Sequence, residues 1–298
     1  MTSWQEHNLA AIKRRLAAAR RAPTGLLFEQ VSPHNHILVR RSDDQLLLCY
    51  RHTRGKMEEI QSRLSLSDPL SLLSDYTQAM LLTLAWRPDP QRVLLVGLGG
   101  GRLQMIVHHY LEQTQLDTVE LDAAVLDVAR RFFAFLPDDR QHVIVQDGRE
   151  YLRETNHLER YDLIFLDAYH ASGVPLHLST QEFYDECRAH LTDGGVVVTN
   201  LHASTSVYDA VRKTFALAFR QTMAFRLLGG NIVVIGTDGE QLSVAEVCQR
   251  ATAVQERYGF DFALPQIAKR QTSGAPYRQS APVLRDAYTP VGGVISRS

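Results

Sequence analysis

Apolar residues in the second half of the chain alternate between short continuous runs and helical spacing. The runs are strand-length and rich in Val, Ile and Leu, as from Val93 to Val96, and the segments between them place apolar residues three or four positions apart. This alternation predicts an open α/β fold, a mostly parallel sheet with helices on both faces. A hairpin over 224–236, turning at Gly229-Gly230-Asn231, predicts an antiparallel end to the sheet. Strands are predicted near 93–97, 117–121, 142–146, 162–167 and 195–201, and helices at 102–111, 123–135, 148–155, 180–190 and 205–219.

The first part of the chain has a different pattern. Residues 4–21 are helix-prone and Arg-rich, which is typical of a helix that lies on a surface or contacts a partner. Short strands over 26–31, 36–40 and 45–50 then predict a small antiparallel β appendage. A helix over 74–86 leads into the main sheet, and one further helix and a polar tail follow residue 243. We therefore divide the chain into a helix (1–22), a β-rich domain (23–75), a nucleoside-binding domain (76–240) and a C-terminal helix and tail (241–298).

The glycine-rich loop after the first strand of the main sheet is the first candidate site. Its glycines allow a ligand to approach the backbone closely, and the helix that starts at Arg102 points its N-terminus outward. A tight turn for packing alone needs similar glycines, so the loop is a weak signal by itself. The glycines are Gly97, Gly99, Gly100 and Gly101.

Acidic residues follow the next two strands and strengthen the case for a nucleotide-like ligand. Glu120 stands about 20 residues beyond the loop, where a carboxylate that accepts both ribose hydroxyls is expected. Glu120 and Asp122 also suit the start of the next helix, and Asp122 fits that role better. Asp147 and Gly148 end the third strand at the same sheet edge. That edge is where open α/β folds bind ligands.

Composition narrows the class of protein. The 298 residues carry a formal net charge of −1, with a pI near 6.9, so no basic field favours nucleic acid. The apolar runs are too short to span a membrane, and the N-terminus lacks the apolar core of a signal peptide, so we expect a cytoplasmic protein. Three distant cysteines and the absence of a His-x-x-x-His pattern predict neither disulfides nor a metal site.

These motifs and their order resemble those of the spermidine synthase family, the aminopropyltransferases built on the S-adenosylmethionine methyltransferase fold. The similarity covers roughly residues 26–236. The loop, Glu120-Leu121-Asp122 and Asp147-Gly148 resemble the family's loop, ribose-binding and adenine-contacting motifs, and Tyr161 to Asp167 resembles the strand that carries its catalytic aspartate. Tyr76 stands at the family's active-site tyrosine, and Asn35 stands where the family has a Gln.

The resemblance implies a Rossmann-like, methyltransferase-type sheet of seven strands that ends in an antiparallel hairpin, an N-terminal β-domain and a homodimer. It also implies aminopropyl transfer from decarboxylated S-adenosylmethionine to a small-molecule amine. Two alternatives stay open: an S-adenosylmethionine-dependent methyltransferase or aminocarboxypropyl transferase, and a non-catalytic protein that binds a nucleoside or polyamine.

Two departures from the family pattern put the acceptor in question. Gly100 stands where the family's loop carries an aspartate that holds the amine of the co-substrate. The segment after Asp167 lacks the family's second aspartate, which grips the acceptor amine. Each lost carboxylate removes a charge-assisted hydrogen bond, so a dicationic acceptor such as putrescine is expected to bind less well.

The remaining polar residues have both chemical and ordinary interpretations. Asp167 is expected to take a proton from the attacking amine, or to be a turn acid after its strand. Tyr76 either orients the amine or is a core aromatic. His170 is a second candidate base or an exposed loop histidine. Arg102 either pairs with a co-substrate that keeps its carboxylate or is a solvated surface residue.

Overall fold

A computed structural model gives the fold, and it describes residues 2–52, 57–155, 160–168, 174–272, 277–288 and 294–295. The chain begins with two short helices that break at Leu16, and a four-stranded antiparallel sheet in the order β1-β2-β3-β4 follows. Ile12 and Leu16 of the helical segment are buried, so the predicted surface helix packs on its own chain. The elements are α1 Ser3–Arg15, α2 Ala17–Arg21, β1 Gly25–Val31, β2 His36–Ser42, β3 Gln45–Arg51 and β4 Glu58–Ser65.

A seven-stranded sheet forms the main domain, with the order β11-β12-β10-β8-β5-β6-β7. Its central pairs are parallel, and β12 runs antiparallel to both β10 and β11. The predicted α/β fold with a terminal hairpin and an N-terminal β appendage is thus confirmed. The strands are β5 Arg92–Val96, β6 Gln115–Glu120, β7 Gln141–Val145, β8 Tyr161–Leu166, β10 Leu191–His202, β11 Gln221–Arg226 and β12 Asn231–Thr237, and a separate pair is formed by β9 Val174–Pro175 and β13 Val294–Ile295.

Helices cover both faces of this sheet, and the central strands therefore bury side chains on both faces. On β5, Val93 and Leu95 join one apolar cluster, and Leu94 and Val96 join the other. No helix in the described ranges has both the length and the apolar character that crossing a membrane requires. The helices are α3 Asp75–Met80, α4 Arg102–Tyr110, α5 Ala123–Phe132, α6 Gly148–Glu154, α7 Gln181–Ala189, α8 Tyr208–Ala218, α9 Val244–Tyr258 and α10 Leu264–Ala268, with 3₁₀ turns at Leu81–Ala85, Leu176–Leu178, Leu228–Gly230 and Asp286–Tyr288.

The fourth strand of the N-terminal sheet is absent from the sequence-based prediction, and it lies against the main domain. Residue Gln61 is the extra residue of a β-bulge, since Leu48 pairs with Ser62 and Cys49 pairs with Ile60. A bulge bends a strand and re-aims its side chains. Here it directs Gln61 and Ser62 toward the carboxyl ends of the main sheet.

Candidate functional site

The glycine loop brings the end of β5 against the end of β8. Gly97 has a φ of 102°, and a Cβ at this position would lie 2.6 Å from the carbonyl oxygen of Asp167. Gly101 has a φ of 66° and precedes α4, and its Cβ would lie 2.7 Å from the ring of Phe135. Gly99 is also left-handed, with a φ of 54°. The loop therefore needs these glycines for its conformation and for close approach.

Gly100 has a separate reason to be glycine. A Cβ here would lie 2.9 Å from Cβ of Ser62 and 3.0 Å from the ring of Phe133. The Gly100 amide donates to Ser62 Oγ at 2.9 Å. Ser62 of the N-terminal sheet and Phe133 thus occupy the space that a side chain at position 100 would need, so the packing requires glycine here.

Glu120 ends β6 beneath the loop and is buried. Its two carboxylate oxygens accept hydrogen bonds from the backbone amides of Leu98 and Asp122, each at 2.9 Å. Burial raises the pKa of Glu120 to about 7, although these amide hydrogen bonds act to lower it. The helix-opening role falls to Asp122, whose Oδ1 accepts from the Ala124 amide at 3.0 Å. Glu120 is left facing the cleft described below.

Asn35 reaches the same place from the N-terminal sheet. Its Nδ2 donates to Asp122 Oδ2 at 2.9 Å, and the side chain is buried. Its Oδ1 has no hydrogen-bond partner among the residues that the structure describes. Asn35 Oδ1 is therefore available to accept a hydrogen bond from a ligand in the cleft that Glu120 also lines.

Asp147 is the N-cap of α6 and pairs with His177, a residue that no sequence motif singles out. Its Oδ1 accepts from the amides of Arg149 and Glu150, and its Oδ2 lies 2.7 Å from Nε2 of His177. Burial acts to raise the pKa of Asp147, but the His177 hydrogen bond and the backbone amides together lower it. Gly148 is required by packing, since its Cβ would lie 2.5 Å from Val96 Cγ1.

Asp167 follows β8 and meets Tyr76 from α3. The Tyr76 hydroxyl donates to Asp167 Oδ2 at 3.2 Å, whereas Oδ1 is shielded from solvent and accepts no hydrogen bond from the described residues. Burial raises the pKa of Asp167 to about 7, although hydrogen bonds from Tyr76 and Asn200 oppose this. A carboxylate with these properties suits proton transfer near neutral pH.

Three adjoining clefts open around these residues. The inner cleft, about 750 Å³ with its open mouth, is lined by Asn35, Gly97, Gly99, Glu120, Asp147, Gly148, Asp167 and His177, among others. The middle cleft continues from it past Asp167 and Leu103, and the outer cleft, about 1480 Å³ with its mouth, adds Asn200 and His202. Tyr76 and Gln61 line all three. Asp167 lines both the inner and the middle cleft, so it lies where these two clefts meet.

Two predicted residues have other placements. Arg102 is buried, so its interpretation as a solvated surface residue is wrong. Its Nη2 donates to the carbonyls of Pro69 at 2.5 Å and Ser71 at 3.1 Å, and burial lowers its pKa to about 10. It lines the middle cleft. His170 lies outside the described residues, so its role stays a prediction.

No group of three potential metal-ligating side chains comes together within the described ranges. The absence of a metal requirement stays a prediction. Among the described residues, the inner cleft is lined by the backbone of the glycine loop, by carboxylates, by Tyr50 and Tyr76, and by His177.

Comparisons with known proteins place the chain in a family. The model for the spermine/spermidine synthase domain matches residues 76–228, just over half of the chain. A polyamine aminopropyltransferase of Vibrio vulnificus is 28% identical over 271 residues, covering 89% of this chain and 90% of that protein. One of Chromobacterium violaceum is 29% identical over 211 residues, covering 69% and 80%.

Solved structures agree on the fold. A probable spermidine synthase from Corynebacterium glutamicum has a TM-score of 0.68 at 19% identity, covering 89% of this chain and 97% of that one. Human methyltransferase-like protein 13, solved in complex with SAH, has a TM-score of 0.57 at 23% identity, covering 70% and 96%. The fold is therefore methyltransferase-like, and by the match to its domain model this chain belongs to the spermine/spermidine synthase family.

Proposed function

We propose that this protein is an aminopropyltransferase that moves the aminopropyl group of decarboxylated S-adenosylmethionine to a small-molecule amine. The observation that carries the proposal is the position of Asp167, between the inner and middle clefts and hydrogen-bonded to Tyr76. The named aminopropyltransferases of Vibrio vulnificus and Chromobacterium violaceum support the reaction class.

In this reaction the amine nitrogen attacks the aminopropyl carbon bonded to the sulfonium. A C–N bond forms, the C–S bond breaks, and its electron pair stays on sulfur, which leaves as the neutral thioether methylthioadenosine. The amine loses one proton, and the Asp167 carboxylate, which lines the inner and middle clefts, accepts it. Tyr76 holds Oδ2, so we assign it the orientation of the base and of the incoming amine.

The inner cleft is proposed to hold the nucleoside. Glu120 accepts the ribose hydroxyls with the lone pairs that the Leu98 and Asp122 amides leave free. Asp147 and His177 line the same cleft and are assigned to the adenine. Gly97, Gly99, Gly100 and Gly101 let the loop backbone approach the thioether side.

Calorimetry with decarboxylated S-adenosylmethionine, S-adenosylmethionine and methylthioadenosine tests this assignment. The proposal predicts binding of the decarboxylated form and of methylthioadenosine. A clear preference for the carboxylated compound would favour the methyltransferase or aminocarboxypropyl alternative. Binding of none of the three would remove the nucleoside assignment altogether.

One observation favours that alternative. Gly100 packs on Ser62, so the loop offers no carboxylate to the amine of the co-substrate. A retained carboxylate would meet Arg102 only if that guanidinium shared its contacts with the Pro69 and Ser71 carbonyls. We therefore rank methyl or aminocarboxypropyl transfer second, and a non-catalytic nucleoside or polyamine binder third.

We further propose a homodimer, as the resemblance implies, a cytoplasmic location, as expected from the sequence, and the domain division given above. Light scattering on the purified protein measures the oligomeric state directly. A monomer at micromolar concentration would contradict the dimer without touching the proposed reaction.

A further inference from the structure

Arg63, two residues beyond the bulge of β4, lines the clefts that remain for the acceptor when the inner cleft holds the nucleoside; we call the middle and outer clefts the acceptor compartment. It lines both the middle and the outer cleft, but not the inner one. It shares both of these clefts with Tyr76, which binds the proposed catalytic carboxylate. Arg63 therefore lies on the acceptor side of Asp167.

Among the residues that the structure describes, none of opposite charge forms an ion pair with the Arg63 guanidinium. Across the described ranges, its hydrogen bonding is limited to a contact of 3.5 Å from Nη1 to the neutral amide oxygen of Gln45. Such a long contact to a neutral group is weak. A guanidinium has five N–H donors in a planar fork that matches a carboxylate, so most of the binding capacity of Arg63 is unused.

The two carboxylates that line the outer cleft, Glu59 and Asp75, face groups other than Arg63. Glu59 faces His52, with 3.8 Å between Oε2 and Nε2. Asp75 Oδ2 accepts from the Leu228 amide at 3.1 Å and lies 3.9 Å from Nη1 of Arg270. The outer cleft thus holds two carboxylates that face other groups and a guanidinium that forms no ion pair with a described residue.

We propose that the acceptor is an amine that also carries a carboxylate, an ω-amino acid, and that Arg63 binds this carboxylate while the amine faces Asp167. The inference rests on the proposed aminopropyl transfer and names the substrate class of that site. It also explains why the chain lacks the aspartate that grips a second amine in the related synthases. The product would be the N-aminopropyl amino acid, formed with the same loss of methylthioadenosine and one proton.

Matched acceptors test the inference, because 4-aminobutanoate and 1,4-diaminobutane differ mainly in the charge of the distal group. We expect the native protein to have a higher kcat/KM with an amino acid of suitable length, within a series of four to six carbons, than with the matched diamine. Arg63→Gln should lower kcat/KM for the amino acid by about 10- to 100-fold, the effect of one charge-assisted pair. Arg63→Glu should reverse the preference toward the diamine.

Two controls separate the possible failures. Arg130 is exposed on α5, so Arg130→Gln should leave kcat/KM unchanged for both the amino acid and the diamine. Methylthioadenosine binding measured for each Arg63 variant shows whether the inner cleft is intact. Arg63→Gln that weakens S-adenosylmethionine binding, with acceptor use unchanged, would assign the carboxylate to the co-substrate and overturn the inference.

Diamine preference in the native protein, unaffected by Arg63→Gln, would overturn the inference and leave aminopropyl transfer standing. Transfer to no amine of either class, with methylthioadenosine still bound, would instead overturn the proposed reaction and the inference with it. The two failures are therefore distinguishable.

Discussion

Replacing Asp167 with Asn should make the protein more stable and much less active. The native carboxyl has its pKa raised from 3.8 to about 7, so between these pH values the folded protein binds a proton that the unfolded chain has released. Stability consequently falls as the pH rises through this interval, and the full penalty is present above pH 7. Asn keeps the shape and an acceptor for Tyr76 but carries no charge.

The magnitude follows from the shift. About three pKa units at about 1.36 kcal/mol each set an upper bound of about 4 kcal/mol. Asp167 lines an open cleft and is only partly buried as a residue, so the bound is discounted: we expect Asp167→Asn to raise the free energy of unfolding by about 1 to 3 kcal/mol at pH 8 and by less than half of this at pH 5. Turnover should fall by about 10² to 10⁴ through loss of the base.

Urea denaturation at pH 8 and pH 5 measures the change in the free energy of unfolding. Steady-state release of methylthioadenosine measures the loss of turnover. Asp127→Asn is the matched control, because Asp127 is exposed on α5 and pairs with Arg131 at 3.0 Å. It should change stability by at most about 0.5 kcal/mol, with no effect on turnover. An Asp167→Asn protein no more stable than the parent at pH 8, or active to within a few fold, would refute the reasoning.

Three other single substitutions, one of them with a rescuing second substitution, test the co-substrate site. Glu120→Ala should weaken methylthioadenosine binding by about 1 to 3 kcal/mol, as calorimetry can measure, and unchanged affinity would remove Glu120 from the site. His177→Phe should cost about 1 to 2 kcal/mol in the same assay, because Asp147 loses its side-chain partner; equal affinity would assign His177 to packing alone. Gly100→Asp should weaken binding about tenfold by displacing Ser62, and Ser62→Gly in the same chain should recover it; no recovery would refute the packing explanation.

The main sheet was predictable because its strands bury side chains on both faces and its helices have one apolar side. β5 shows this directly, since Val93 to Val96 are all buried. The fourth N-terminal strand carries a weaker signal, because Glu58–Ser65 has few apolar residues. Backbone pairing with β3 and the ion pair of Glu58 with Arg40, at 2.7 Å, hold it in place. Neither interaction leaves an apolar pattern in the sequence.

The residues of the site also divide into those that a sequence pattern predicts and those that it does not. The loop and the acids after strands β6, β7 and β8 are local motifs, and the structure gathers Glu120, Asp147 and Asp167 around one cleft. His177 and Arg63 belong to no motif, and they reach the site through a 3₁₀ turn and a bulged strand. Their placement depends on long-range packing, which single-sequence patterns do not encode.

A product balance tests the central claim most directly. The protein would be incubated with decarboxylated S-adenosylmethionine labelled in its aminopropyl chain, together with ω-amino acids and matched diamines, and all products would be identified by mass. The account predicts one methylthioadenosine released for each label transferred to an amine nitrogen, with Asp167→Asn slower by at least about a hundredfold. Consumption of S-adenosylmethionine with transfer of a methyl or aminocarboxypropyl group, and no use of the decarboxylated compound, would contradict it.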